Sequence, residues 1–284
     1  MGLEQRPQWQ QHFQSRRPGF ALSSPQTRRV LVVAGVAGGV VLVLSQEEVP
    51  YTQRSHAILV NAGAEQQMGE QAYEEILAEA ARDGTLVPAQ HPAAQRVVRV
   101  GRRIAAVVES GKGGGFQAHV RNLHWRFSVI HSPQVNAFVV PGGNVVVYTG
   151  LLDLVGSDDE LAAVLAHECA HVLARHAAER MTRGSVLSAL QLVAYWGFGI
   201  AVPADLLAPA FFLPNSRKQE TEADVIGIQL AAQACFDPAA AVTVFEKLGE
   251  VERRMGGGRI PGFLRTHPVS SQRIERIKEV RDGG

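Results

Sequence analysis

Read for its hydrophobic and polar positions, the 284-residue chain falls into three stretches. Residues 1–29 are rich in Gln, Arg and Ser with no sustained apolar period, so they have no face to pack and read as a poorly ordered leader. Val30–Leu44 (VLVVAGVAGGVVLVL) is apolar throughout, bounded by Arg28 and Arg29 before it and Glu47 and Glu48 after it. From Val49 onward the pattern is that of a soluble globular domain. Gln66–Arg82 and His91–Glu109 carry the helical period, the second with Val97, Val98, Ile104, Val107 and Val108 as its apolar positions. Lys112–Gly115 reads as a loop. Trp125–Ile130, Val135–Val140 and Asn144–Tyr148 read as short strands, separated by the turn residues His131-Ser132-Pro133 and Pro141-Gly142-Gly143. Ser157-Asp158-Asp159-Glu160 opens the next helix as a capping box, with acids at the positive end of its dipole, and that helix runs on as LAAVLAHECAHVLARHAAERM. A further helix opens at Ser216 and continues through Ile228 and Ala231.

The apolar run is about fifteen residues, or roughly 22 Å of helix against a hydrocarbon core of ~30 Å. A full crossing therefore needs flanking residues, snorkelling arginines or local thinning. A signal peptide fits less well, because Ser45-Gln46-Glu47-Glu48 lacks the small residues of a cleavage site. Residues 30–46 are expected to be a transmembrane anchor and 48–281 a single globular domain. A second apolar stretch, Val186–Leu213, is broken by Gln191, Pro203, Asp205 and Pro209. It is expected to be a helical hairpin that roofs the site or touches the bilayer, not a second span.

Composition changes this picture in two ways. Hydrophobic residues make up 46% of the chain, enough for a real core, and two cysteines cannot form a disulfide framework. The formal charge of +1 excludes nucleic acid as an electrostatic partner, and Arg253, Arg254 and Arg259 around Gly256–Gly258 read as a solvated loop. That charge is unevenly placed: the leader holds five arginines against Glu4, while the remainder holds 23 basic against 26 acidic residues. The positive-inside rule then keeps the leader in the cytoplasm or matrix and sends the mildly acidic body across the membrane.

The candidate chemistry lies in His167-Glu168-Cys169-Ala170-His171, an HExxH pattern inside the capped helix. Histidines four apart share one helical face, so both imidazoles can reach one Zn²⁺ per chain. Glu168, one residue on, is set beside the open coordination position, where its carboxylate can take a proton from water and return it to a leaving amine. Cys169 reads as a small buried apolar residue. His176, five residues beyond His171 and about 140° further round, reads as an exposed helical histidine. A third ligand is expected from Glu220 or Asp224, which also lie four apart. One can bind metal while the other holds the free nitrogen of a ligand histidine, and spacing alone leaves these two roles exchangeable. Glu222 faces another side and reads as solvated.

HExxH followed by Ser216-Arg217-Lys218-Gln219-Glu220-Thr221-Glu222-Ala223-Asp224, Thr266-His267-Pro268 and Arg273-Ile274 resembles the gluzincin family of HtpX and the CAAX prenyl endopeptidases. Val49–Arg54, Asn136–Gly143 and Tyr148–Leu152 narrow the likeness to the OMA-type mitochondrial inner-membrane endopeptidases, over about residues 48 to 280. The resemblance implies that Glu220 is the third ligand and Asp224 the partner of a ligand histidine. It implies that His267 stabilises the tetrahedral oxyanion, and that Asn136, Ala137 and Phe138 form an edge strand to which the substrate backbone adds, as extended peptides do at a free sheet edge.

The expected fold is α+β, a mainly helical zincin domain with a small antiparallel sheet beside the HExxH helix, preceded by one N-terminal transmembrane helix. The expected function is hydrolysis of peptide bonds in proteins at or in the membrane, in mitochondrial inner-membrane quality control, with the catalytic domain facing the intermembrane space. A bacterial inner-membrane protein facing the periplasm is the alternative for location. The rival from another class is a membrane-tethered zinc-containing scaffold, disfavoured because no fourth ligand is placed to close the metal site. Protein substrates and the lipid bilayer are the expected partners, and homo-oligomerisation is left open.

Overall fold

The structure is a computed structural model that describes residues 24–111, 119–120, 123–198, 204–254, 262–268 and 270–281. Most of the leader and the glycine runs 113–115 and 256–258 lie outside the described residues. Helix α1 (Pro25–Leu44) contains the apolar run, with Pro25 at its first turn, and its valines are largely exposed. Among the described residues no helix is long and apolar enough to cross a membrane. The expected transmembrane segment is thus helical but short of a full span by its own apolar length.

A hairpin that the period did not predict follows at once: β1 (Gln46–Glu48) pairs antiparallel with β2 (Ser55–Ala57). Its loop carries two non-glycine residues in the left-handed region, Tyr51 at φ 68° and Gln53 at φ 55°. Helix α2 (Ala62–Arg82) starts four residues before its apolar pattern, because the Asn61 side chain caps it by accepting from the Ala64 amide. Helix α3 (Pro92–Ser110) is capped by His91 and stopped by Gly111 in the left-handed conformation.

Strands β3 (Arg126–Ile130), β4 (Ala137–Val140) and β5 (Asn144–Tyr148) form one sheet in the order β3-β5-β4. The β4–β5 pair is antiparallel but β3–β5 is parallel, so the sheet is mixed and not antiparallel as expected. The reason is visible in β5, whose apolar run is buried on both faces, as a central strand requires. β4 is left at the edge. The β4–β5 turn needs its glycines, since Gly142 and Gly143 sit at φ 90° and 88°.

A short helix α4 (Thr149–Leu154) leads to α5 (Asp158–Leu173), the axis of the domain. Ser157 accepts from the Glu160 amide at 3.1 Å, while the Glu160 carboxylate reaches back to the Gly156 amide at 2.7 Å. Nearly every residue of α5 from Leu161 on is buried, packed by α3, β4, α7 (Ala204–Gln233) and α8 (Ala240–Arg254). The helix expected to run on past His171 instead stops at Leu173. Arg175 takes φ 51°, and a separate helix α6 (His176–Phe198) departs. Helices α6 and α7 are the two arms around the second apolar stretch, and residues 199–203 between them lie outside the described residues. Helix α7 begins three turns earlier than its charged motif suggested and runs through Pro209 and Pro214. Two short helices follow, α9 (Gly262–Thr266) and α10 (Ser271–Arg281), the second packed against α7 and α8.

Candidate active site

Helix α5 presents His167 and His171 on one face, and α7 crosses it closely enough to bring Glu220 opposite. The crossing is tight at Gly227, where a Cβ would stand 3.0 Å from the His167 amide nitrogen. Nε2 of His167 and Nε2 of His171 lie 3.1 Å apart, and the Glu220 carboxylate is 3.4 Å from the first and 3.5 Å from the second. His267, just after α9, enters the same cluster, with Nδ1 2.9 Å from Glu220 Oε2 and 3.3 Å from His167 Nε2. One donor atom from each of these four buried residues falls within 4.8 Å of the others. Asp224 stands behind the cluster, its Oδ1 3.0 Å from Nδ1 of His167. Of the two residues that spacing left exchangeable, Glu220 lies inside the donor set and Asp224 outside it, against the His167 ring.

The donor set fits Zn²⁺, since two imidazoles and a carboxylate converge with both Nε2 atoms inward and both Nδ1 atoms outward, that of His167 facing the Asp224 carboxylate at 3.0 Å and that of His171 bonded to His176. Burial pulls the imidazolium of His167 down, but Asp224 and Glu220 outweigh it and hold the group up at about 9. Glu220 responds in the opposite sense: burial raises its pKa, and its bonds from His167 and His267 carry it far below the carboxylate range. The site therefore assembles negative charge where a cation would sit.

Glu168 lies beside the donors, facing His267. Burial pushes its carboxyl up from the usual range, the facing His267 and His167 partly countering this. Among the described residues its Oε1 has no hydrogen-bond partner, and it lies 3.4 Å from Nε2 of His267, so an acceptor faces the donor cluster. The edge strand runs alongside. Among the described residues β4 pairs with β5 alone, and the Tyr148 amide donates to the Asn136 carbonyl at 3.0 Å. By alternation the backbone groups of Ala137 and Val139 turn the other way, and the Val139 amide donates to Glu168. Asn136 keeps a buried Oδ1 that has no partner among the described residues, close to Gly262. Phe138 puts its side chain on the opposite face, edge-on to Tyr148 at 6.1 Å.

Three expectations change. His176 is fully buried, not exposed, because the break at Arg175 restarts the helix and the 140° extrapolation fails across it. Its Nδ1 is 2.7 Å from Nδ1 of His171. Glu222 is buried, not solvated, because Arg54 from the β1–β2 loop donates to it at 2.9 and 2.7 Å and His176 approaches at 3.0 Å. A fourth donor, His267, does reach the metal cluster, although none was visible along the chain. Cys169 is buried among apolar residues as expected, and burial pushes its thiol up.

Sequence reasoning assigned no role to Arg273, which donates to Asp224 at 2.7 and 2.8 Å and to the Pro268 carbonyl at 2.8 Å, tying α7 to the His267 turn. Its only signal was its place in the family pattern, as was true of Arg54.

A model of peptidase family M48 matches residues 95–281. The mitochondrial metalloendopeptidase OMA1 of Schizosaccharomyces pombe is 38% identical, over 90% of this chain and 73% of its own length. The protein of the same name from Arabidopsis thaliana is 32% identical, over 94% of this chain and 68% of its own. The beta-barrel assembly-enhancing protease of Escherichia coli is 33% identical over 53% of this chain and 33% of its own length. With HExxH, the opposing glutamate and the edge strand folded around one point, the chain belongs to peptidase family M48 and is a zinc metalloendopeptidase.

Proposed function

We propose that this peptidase is anchored in the mitochondrial inner membrane and cleaves membrane or membrane-associated proteins in quality control, with the catalytic domain facing the intermembrane space. The observation that carries the reading is the convergence of His167, His171 and Glu220 beside the Glu168 carboxylate and strand β4, an edge strand among the described residues. His167, His171 and Glu220 are the metal ligands, and Asp224 orients the first of them. Bound there, Zn²⁺ supplies Lewis acidity toward the scissile carbonyl and lowers the pKa of water at the site toward neutrality. Glu168 takes the proton of the attacking water and passes it to the leaving amine. His267 donates to the oxygen that becomes negative as the carbonyl turns tetrahedral. The substrate backbone lies against β4 in extended form, with the Ala137 amide and carbonyl and the Val139 carbonyl offering main-chain bonds, Asn136 a side-chain amide and Phe138 the intervening strand position.

The name and identity of the fungal and plant relatives support the mitochondrial location, and the basic leader before α1 supports the orientation. In this reading residues 1–29 are the leader, 30–46 the anchor, helped across by Arg28, Arg29 and local thinning, and 48–281 the peptidase domain. The bacterial relative keeps a periplasm-facing alternative in play, with the same sidedness. One observation favours the rival scaffold: His267 supplies a fourth donor, enough to close a structural site.

Glu168→Gln separates the two. It is expected to retain one zinc per chain while losing at least ~10²-fold in cleavage of a reconstituted membrane-protein substrate. Undiminished cleavage would remove Glu168 from the mechanism, and a wild-type chain that binds zinc without cleaving any such substrate would support the scaffold.

A further inference from the structure

The two ligand histidines of α5 are held differently. His167 turns Nδ1 directly to a carboxylate, Asp224 at 3.0 Å. His171 turns Nδ1 to a second imidazole, Nδ1 of His176 at 2.7 Å, and the carboxylate comes one step later, with Glu222 Oε2 3.0 Å from Nε2 of His176. Glu222 accepts in turn from the Thr52 hydroxyl and from Nε and Nη2 of Arg54, whose Nη2 also donates to Glu179 at 2.8 Å. His176, Glu222 and Glu179 are all buried, so the chain of contacts is dry over most of its length.

We propose that His176, Glu222 and Arg54 form a positioning relay that fixes the His171 ligand, doing at one remove what Asp224 does for His167. The proposal rests on His167, His171 and Glu220 being the zinc ligands. Its logic is a count of protons. An imidazole that gives Nε2 to a cation carries its one proton on Nδ1, so His171 must donate to Nδ1 of His176. His176 then holds its own proton on Nε2 and donates it to Glu222. Glu222 can only accept, as a carboxylate, and the Arg54 guanidinium and Thr52 hydroxyl keep it in that form. Each proton has a single place, which fixes both the tautomer and the rotation of the His171 ring. The bland alternative is a buried ion cluster that only holds the β1–β2 hairpin to the domain. Such a cluster predicts lost stability, with zinc affinity unchanged in any variant that folds.

The test measures zinc affinity of the detergent-solubilised full chain by competition with a chromophoric chelator, with the d–d spectrum of the Co²⁺-substituted protein as a second readout. His176→Leu is expected to weaken zinc about 10- to 100-fold and to alter the Co²⁺ spectrum. His176→Asn, whose amide oxygen can accept from His171, is expected to regain about half of that loss on a logarithmic scale or more. Glu222→Gln is expected to weaken zinc by roughly 10-fold, and adding it to His176→Leu to cost little more, because both interrupt one chain. The relay is overturned if folded His176→Leu keeps wild-type zinc affinity and Co²⁺ spectrum, or if the losses of the two variants simply add. Should His176→Leu fail to fold, the isosteric Glu222→Gln decides, and unchanged affinity there overturns the relay equally. A wild-type chain that binds no zinc, or one in which His171→Ala binds it undiminished, would overturn the ligand reading itself. Zinc binding that depends on His171 but ignores His176 overturns only the relay.

Discussion

Arg273→Met should lower the stability of the metal-free protein by about 3 kcal/mol. The guanidinium is buried on α10, bonded twice to Asp224 at 2.7 and 2.8 Å and once to the Pro268 carbonyl at 2.8 Å, with its plane over the Phe245 ring at 4.7 Å. Removing one partner of a buried charge pair typically costs ~3–5 kcal/mol, most of it from the charge left behind. Here the stranded Asp224 retains the imidazolium of His167 at 3.0 Å, held at about 9 in the absence of metal, so the lower end of that range applies. For a domain of this size each kcal/mol moves the melting temperature by roughly 2–4 °C, which makes the expected fall about 6–12 °C. Circular dichroism of the chelator-treated full chain in detergent measures it. Arg273→Met combined with Asp224→Asn removes the stranded charge and should recover more than about half of the fall. A single variant that melts within ~2 °C of wild type, or a pair that melts no higher than the single, would refute the argument from a stranded charge.

At the helix crossing, Gly227→Ala drives a Cβ to 3.0 Å from the His167 amide nitrogen and 3.1 Å from its Cα, backbone atoms that cannot turn aside. Overpacking of ~1–3 kcal/mol set against ~1 kcal/mol of gained helix propensity leaves a net loss of about 1 kcal/mol, with zinc affinity reduced as α7 is displaced; urea unfolding and chelator competition check both. His119 donates from Nε2 to the Leu173 carbonyl at the end of α5, and burial, with the nearby Arg175 charge, lowers its pKa from 6.5 to about 4. The folded state thus resists a proton that the unfolded state accepts, so stability is unaffected above pH 6.5 and falls as pH drops from 6.5 toward 4. His119→Gln, which can donate without titrating, should lose roughly 2 kcal/mol less than wild type between about pH 7.5 and 5; parallel stability curves would contradict the assignment.

How far the sequence carries the reading depends on the separation of the partners. His167, His171 and Glu168 were legible because a helix fixes their mutual geometry within five residues, and β5 and α3 because each carries an unbroken period. Glu220 and Asp224 were legible as a pair, but their division of labour required a second helix to be placed opposite them. His176 was misread because the break at Arg175 involves neither glycine nor proline, the usual punctuation, and nothing local announces a left-handed residue there. Glu222 was misread because a carboxylate between a buried alanine and a threonine looks solvated until Arg54 arrives from far along the chain. The parallel β3–β5 pairing was hidden for a related reason: a strand's period tells which face is buried, not which neighbour it takes or in which direction.

The β1–β2 hairpin has a mechanical meaning. About ten residues separate Leu44, where α1 ends, from Arg54, a contour of at most ~35 Å even if pulled straight. The hairpin is also stitched down at both ends, Glu47 to Arg175 at 2.8 Å and Arg54 to Glu222 at 2.7 Å. On the proposed placement of α1 in the bilayer, this short leash would set the altitude of the cleft. On that placement the edge strand and Glu168 would reach only the first few nanometres above the lipid, and a scissile bond would have to lie in a juxtamembrane segment, or bend back toward the surface, to be cut. Selectivity among membrane proteins would then come from where an extended segment leaves the bilayer as much as from its side chains.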